Sequence, residues 1–190
     1  MRYLVTGAAG FIGSAYVRKL LIENSKIDQV LAVDNLSYAG DWSNLDSVAH
    51  SKKLEKIKAD ISNRESISEL FSNVDFVINF AAESHVDRSI TSEKPFILSN
   101  IVGASNIFSL ALENRVTRVV QISTDEVYGS VIKGQSKEKD RLEPNSPYSA
   151  SKASADLIGR AFHETHGLNI VFTRCSNNFG PFQHPEKFIP

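Results

Sequence analysis

The sequence is short of three things. Its 190 residues include a single cysteine, Cys175. That excludes an internal disulfide framework and suits a reducing cytosol. It also lacks charge of one sign, since 21 basic and 22 acidic residues leave a net charge of −1. A nucleic acid or an anionic membrane would favour a basic face, so neither is expected as a partner. Long hydrophobic runs are missing too. The opening MRYLVTGAAGFIG carries one arginine and is broken at once by Thr6 and Gly7, which fits neither a signal peptide nor a membrane span. No other stretch approaches the length of about 18 apolar residues that a membrane helix needs. There is no internal repeat and no low-complexity tract.

The sequence does have enough to build a core. A hydrophobic content of 42% and a charged content of 23% are ordinary for a soluble protein. The length fits one domain, with room for the start of a second. Strand and helix signals alternate from the first residue. Short apolar strands are expected at Arg2–Thr6, Gln29–Val33 (closing at Asp34), Leu54–Asp60, Phe76–Phe80, Arg118–Ser123 and Leu168–Thr173. Helical periodicity covers Phe11–Glu23, Arg64–Phe71, Ser99–Asn114 (with a start as early as Pro95) and Pro147–His166, with a shorter helix around Asn44–His50. Val131–Ser146 reads as a loop. Strands that are apolar throughout are buried on both faces, so the pattern argues a parallel sheet covered on both sides.

Gly7, Gly10 and Gly13 form GxxGxxG between the first strand and the first helix. Glycine lets the backbone approach a pyrophosphate, and the helix N-terminus offers free N–H groups. A ligand-free tight turn would use the same residues, but strand, glycines and helix in that order favour a nucleotide. Asp34 closes the second strand, 21 positions after Gly13. A carboxylate there accepts both hydroxyls of an adenosine ribose and repels a 2′-phosphate, which favours NAD over NADP. Asp60-Ile61 sits where an adenine ring would meet an oxygen and an apolar contact, although aspartate at a strand end is common.

Tyr148 and Lys152 form YxxxK at the start of a predicted helix, on one face of it. A lysine ammonium near a phenol favours the phenolate and lowers its pKa, so that it can take a proton from an alcohol. Alone the pair fits a helix surface better, and the glycine motif together with Ser123-Thr124 turns the balance to the functional reading. Ser123-Thr124, at the end of the fifth strand, should lie nearby in the expected sheet order. Cys175 is expected to be a small buried filler rather than a nucleophile.

TGAAGFIG, Asp34 and Tyr148-x-x-x-Lys152, in that order, resemble the extended short-chain dehydrogenase/reductase family. VDNLSYAG, AAESHVDRSI, STDEVYG, PYSASKA and RCSNNFGPFQHPEKFIP are similar to its dTDP-glucose 4,6-dehydratase branch. The resemblance runs along nearly the whole sequence. It implies an α/β fold, a Rossmann-type doubly wound parallel sheet with helices on both faces. It implies an NAD-binding domain over residues 1–174 and the start of an incomplete substrate-binding region over 175–190, with the substrate domain mostly absent.

The resemblance also implies roles. Tyr148 would be the base that oxidises the sugar at C4, and Lys152 would tune it and hold the nicotinamide ribose. Thr124 would bond the C4 oxygen, Glu126 would remove the C5 proton, and Asp125 would protonate the departing C6 hydroxyl. Elimination needs one group to take a proton and one to give it, and adjacent acids in a pocket can supply both. The cofactor NAD would be held by Gly7, Gly10, Phe11, Ile12, Gly13, Asp34, Asn35, Asp60, Ile61, Ala81, Ala82, Ser84, Asn100, Tyr148, Lys152 and Asn178. Ser84, His85, Arg88, Thr124, Asn177 and Lys187 would meet the nucleotide sugar. A core or turn role fits His85 as well, and Asn177 and Asn178 could equally cap a turn before Gly180. No metal is expected. A cytoplasmic homodimer through the two long helices is implied. Asp125-Glu126 argues against an epimerase, while another nucleotide-sugar 4,6-dehydratase or a truncated, non-catalytic NAD-binding module stays open.

Overall fold

The computed structural model describes residues 1–185. Six parallel strands form one sheet: β1 (Arg2–Thr6), β2 (Gln29–Asp34), β3 (Leu54–Lys58), β4 (Phe76–Asn79), β5 (Arg118–Thr124) and β6 (Ile170–Cys175). Their spatial order is β3-β2-β1-β4-β5-β6, the doubly wound arrangement in which the chain reverses direction between β1 and β4. The helices are α1 (Phe11–Glu23), α2 (Arg64–Ser68), α3 (Val86–Thr91), α4 (Lys94–Phe96), α5 (Ala104–Glu113) and α6 (Pro147–His166).

Alternation along the strands divides the core in two. Leu4, Leu31, Val33, Val77 and Val119 point to one face, where Phe71, Ile107, Phe108, Ala111 and Ala155 cover them. Val5, Val30, Ala32 and Ile78 point to the other, against Val17 of α1 and Leu45 and Val48 of a 3-10 segment, Trp42–Val48. This is why the central strands read as unbroken apolar runs. The edges differ. β3 exposes Glu55, Lys56 and Lys58, charges that guard an unpaired edge. β6 turns Ile170 and Phe172 to α6 so closely that a Cβ on Gly159 would sit 2.8 Å from the Phe172 ring.

Lys94–Glu113 is one continuous helical stretch, with Ile97–Gly103 wound as a π-helix between α4 and α5. By length and composition it could cross a membrane. It packs instead on the sheet, burying Phe96, Gly103, Ile107, Phe108 and Ala111. At Gly103 the fit leaves no room for a side chain, because a Cβ would lie 2.6 Å from Ile61.

Several boundaries differ from those expected. β3 stops at Lys58 rather than Asp60, and β6 runs from Ile170 to Cys175 rather than from Leu168 to Thr173. β6 is set by its pairing with β5, which continues to Thr124 opposite Cys175. Leu168 belongs to the turn that closes α6 after the left-handed Gly167. Two elements carried no readable signal, α3 and the 3-10 turn Asp125–Tyr128. Both are short and polar, and tertiary contacts hold them.

A polar ladder crosses the sheet beneath its carboxyl edge. The Thr6 hydroxyl donates to Asn79 Oδ1, and Asn79 Nδ2 donates to Gln121 Oε1 at 2.7 Å. All three side chains are buried. Asn79→Leu would strand both neighbours at a cost of about 1–3 kcal/mol for each unpaired group. Its urea midpoint should fall with an unchanged slope. A midpoint equal to that of the parent chain would show that the ladder contributes nothing.

Candidate active site

Parallel strands bring their carboxyl ends to one edge, and a cleft of about 610 Å³ opens there. At one end lie Gly7, Gly10, Phe11, Ile12 and Gly13. Gly7 has φ +65°, and a Cβ on it would meet the Ala81 nitrogen at 2.6 Å. A Cβ on Gly13 would meet the Gly7 carbonyl oxygen at 2.1 Å. The first turn of α1 thus packs directly on the glycine turn. Gly10 caps α1 without a side chain, and no acidic residue sits in the first turn. The leading N–H groups of this helix therefore face the cleft with their dipole uncompensated, as a pyrophosphate requires.

Asp34 lines the cleft and is buried. The Ala9 N–H donates to its Oδ2 at 2.9 Å and the Leu36 N–H to its Oδ1 at 2.8 Å. These bonds orient the carboxylate and leave each oxygen capacity for a ribose hydroxyl. Leu36 has φ 56°, an uncommon conformation for leucine, held by that bond to Asp34. Asn35, Ile61, Ala81, Ala82 and Ser84 continue the lining. These residues fit a dinucleotide.

Tyr148, Lys152, Thr124 and Glu126 meet at the other end. Ser146 caps α6 through a capping box with Ser149, and Pro147 occupies the first helical turn. The Tyr148 N–H donates to the Ser89 hydroxyl at 3.1 Å, which fixes the start of α6 on α3. The electrostatics depart from expectation. Burial, then the Glu126 charge, pushes the Tyr148 phenol up, and only the Thr124 hydroxyl pulls it down. Lys152 is not among the groups that shift the phenol, and its amine donates one bond to the Ile122 carbonyl at 2.6 Å. Burial lowers Lys152 to about 8, and Asp156 opposes that fall.

The remaining expected residues are placed as follows. His85, Asn177 and Asn178 line the cleft. Arg88 stacks its guanidinium 4.1 Å from the Tyr38 ring centre, and Tyr38 lines the cleft. Asp60 lines a smaller adjoining cleft, its carboxylate accepting the Ser62 N–H and hydroxyl. Asn100 does not reach the cleft lining. It is buried, receives the Glu83 N–H, and donates to the Glu83 carbonyl and to the Ser151 hydroxyl. Its amide ties the loop after β4 to α6. Asp125 is exposed and outside the lining, and it accepts the Thr124 hydroxyl at 3.3 Å. Lys187 lies outside the described residues. Cys175 is exposed and lines the cleft rather than filling a core.

Sequence reasoning passed over Tyr38, Glu83 and His184, which also line the cleft. His184 meets Tyr38 edge to face at 5.6 Å. Burial raises the Glu83 carboxyl, against the pull of Arg88. All three lie inside stretches that carry the family resemblance, VDNLSYAG, AAESHVDRSI and RCSNNFGPFQHPEKFIP, which was the readable signal for this group.

Residues 4–190 match the family described as GDP-mannose 4,6 dehydratase. The low-salt glycan biosynthesis protein Agl12 of Haloferax volcanii is 49% identical over all of this chain and 61% of its own length. A dTDP-glucose 4,6-dehydratase of Streptomyces niveus is 45% identical over all of this chain and 57% of its own length. The chain thus spans less than two thirds of the length of these relatives. Among solved structures, DesIV, a dTDP-glucose 4,6-dehydratase from Streptomyces venezuelae with NAD bound, superposes with a TM-score of 0.97 at 48% identity, covering all of this chain and 60% of DesIV.

The position of Cys175 can be checked directly. The native chain should react stoichiometrically with a thiol reagent such as Ellman's reagent without denaturant. Labelling only after unfolding would contradict its exposure.

Proposed function

The chain belongs to the GDP-mannose 4,6 dehydratase family, and on that premise we propose that it carries the catalytic half of an NAD-dependent nucleotide-sugar 4,6-dehydratase acting on dTDP-glucose. The observation that carries this reading is one cleft holding the glycine turn and Asp34 at one end and Thr124, Glu126, Tyr148 and Lys152 at the other. Similarity to proteins named dTDP-glucose 4,6-dehydratase supports the choice of sugar nucleotide.

Bound NAD would accept and later return a hydride. The α1 N-terminus and Gly7 would hold its pyrophosphate, Asp34 the adenosine ribose, and Ile61 with Asp60 the adenine. Tyr148 takes the proton of the C4 hydroxyl, with Thr124 bonded to the same oxygen. Lys152, at about 8, is mostly charged at neutral pH and favours the phenolate that burial alone disfavours. Once C4 is a ketone, the C5 proton is acidic, and Glu126 in the cleft takes it. Asp125 protonates the departing C6 hydroxyl, for which its carboxyl must turn from Thr124 towards the cleft. The product is a 4-keto-6-deoxy sugar nucleotide. Ser84, His85, Arg88, Asn177 and Lys187 would position the substrate. Glu126 at the cleft weighs against an epimerase, which needs no acid there.

We also propose a cytoplasmic homodimer. Ile97, Leu98 and Val102, and Leu157 on α6, are 39–56% exposed, and apolar area on two helices supports pairing with a second copy.

Titration with both dinucleotides should show tighter binding of NAD than of NADP, and the reverse order would remove the role given to Asp34. In the complete enzyme, Glu126→Gln should slow exchange of the C5 hydrogen with solvent by about 100-fold or more, the usual size of a general-base effect, while C4 oxidation slows far less. Equal slowing of the two steps would refute Glu126 as the base.

A further inference from the structure

Tyr148, Lys152 and Asp156 follow one another at four-residue intervals along α6 and are all buried, so they share one helix face. The chemistry proposed above uses the first two and leaves the third unexplained. A buried carboxylate is unfavourable without partners, and the partners of Asp156 point to its use. Arg174 Nε donates to Asp156 Oδ2 at 3.0 Å. The same guanidinium donates through Nη1 to the Tyr128 hydroxyl at 2.7 Å and to the Glu138 carbonyl at 3.3 Å, with its carbon 5.1 Å from the Tyr128 ring centre.

Tyr128 closes the 3-10 turn that begins at Asp125 and includes Glu126. Glu138 lies in the loop leading from that turn to α6. Arg174 therefore joins β6, α6, the acid-bearing turn and the intervening loop. We propose that Asp156 and Arg174 are positioning residues, Asp156 as the buried anion one turn beyond Lys152 on the same helix face and Arg174 as the clamp that fastens the turn bearing Asp125 and Glu126 to α6.

The groups facing Lys152 make Asp156 the natural source of that support. From its own helix come Asp156 and Tyr148, and from β6 comes the Cys175 thiol. Asp125 and Glu126 act on Tyr148 from the turn, and Arg174 faces Asp156. Asp156 opposes the burial that drives Lys152 down more than Cys175 does. Burial raises the Asp156 carboxyl itself, while Arg174, which bonds its Oδ2, and the Lys152 charge hold it towards the charged form. Without Asp156 the ammonium loses its nearby anion, so its proton leaves at lower pH.

The catalytic meaning of this pair rests on the dehydratase reading, but its link to Lys152 does not. The test is an NMR titration of the Lys152 side chain in the full chain labelled with 13C-lysine, with the signal assigned by its loss in Lys152→Met. Asp156→Asn should move the midpoint clearly below that of the parent chain, and Asp156→Glu should largely restore it. Where the single variant does not fold, Asp156→Asn with Arg174→Met removes both partners of the buried pair, a change often tolerated. The midpoint should still fall, because Asp156 acts on Lys152 and Arg174 is not among the groups that do. An unmoved midpoint in a folded variant overturns the proposal. In the complete enzyme the alkaline limb of kcat should move to lower pH in parallel, since the Lys152 charge is lost as pH rises through its pKa. A moved midpoint with an unmoved limb would keep the link to Lys152 and overturn the place of Lys152 in the reaction. Tyr128→Phe should leave the midpoint in place and speed amide exchange at Val127 and Gly129 several-fold. Unchanged exchange would overturn the fastening of the turn.

Discussion

Parallel pairing of all six strands is the constraint from which the site follows. Each crossover returns the chain to the same end of the sheet, so every strand delivers its last residue to one edge. Thr6 and Gly7, Asp34, Asn79, Thr124 and Cys175 are far apart in sequence and end together there. The reversal between β1 and β4 sends neighbouring connections to opposite faces, which leaves a crevice above those two strands. The ladder from Thr6 through Asn79 to Gln121 runs just beneath it. Its buried bonds register β1, β4 and β5 against one another, so the two ends of the cleft share a rigid floor.

Close packing prepares the nucleotide end. The glycine turn is tight enough that side chains at Gly7 and Gly13 would overlap backbone atoms, and this proximity lets α1 present bare N–H groups. The bonds that fold the β2 loop also aim the Asp34 carboxylate into the cleft lining.

The chemical end is governed by burial. A phenol and an amine held away from water both move towards their neutral forms, Tyr148 upward and Lys152 downward. Charge must then come from neighbours. Arg174 supports Asp156, Asp156 supports Lys152, and the same guanidinium grips Tyr128 at the end of the acid-bearing turn. The helix bearing Tyr148 and Lys152 and the turn bearing Asp125 and Glu126 are in this way joined by one guanidinium.

Much of this was legible in the sequence because it depends on local rules. Unbroken apolar runs separated by helical periodicity require a parallel, two-sided sheet, and α1 and α6 were readable to the residue from their glycines, proline and apolar spacing. The glycine turn, Asp34 and the YxxxK pair follow from spacing as well. The tertiary structure decided the remainder. Cys175 looked like core, but the end of β6 places it in the cleft lining. Asn100 looked like a ligand contact until its amide proved to be spent on Glu83 and Ser151. Lys152 was expected to lower the Tyr148 phenol, yet in the folded chain burial is the largest influence on both groups. Desolvation, edge exposure and hydrogen bonds between residues far apart in the chain depend on what packs beside a side chain, and short-range sequence pattern does not carry that information.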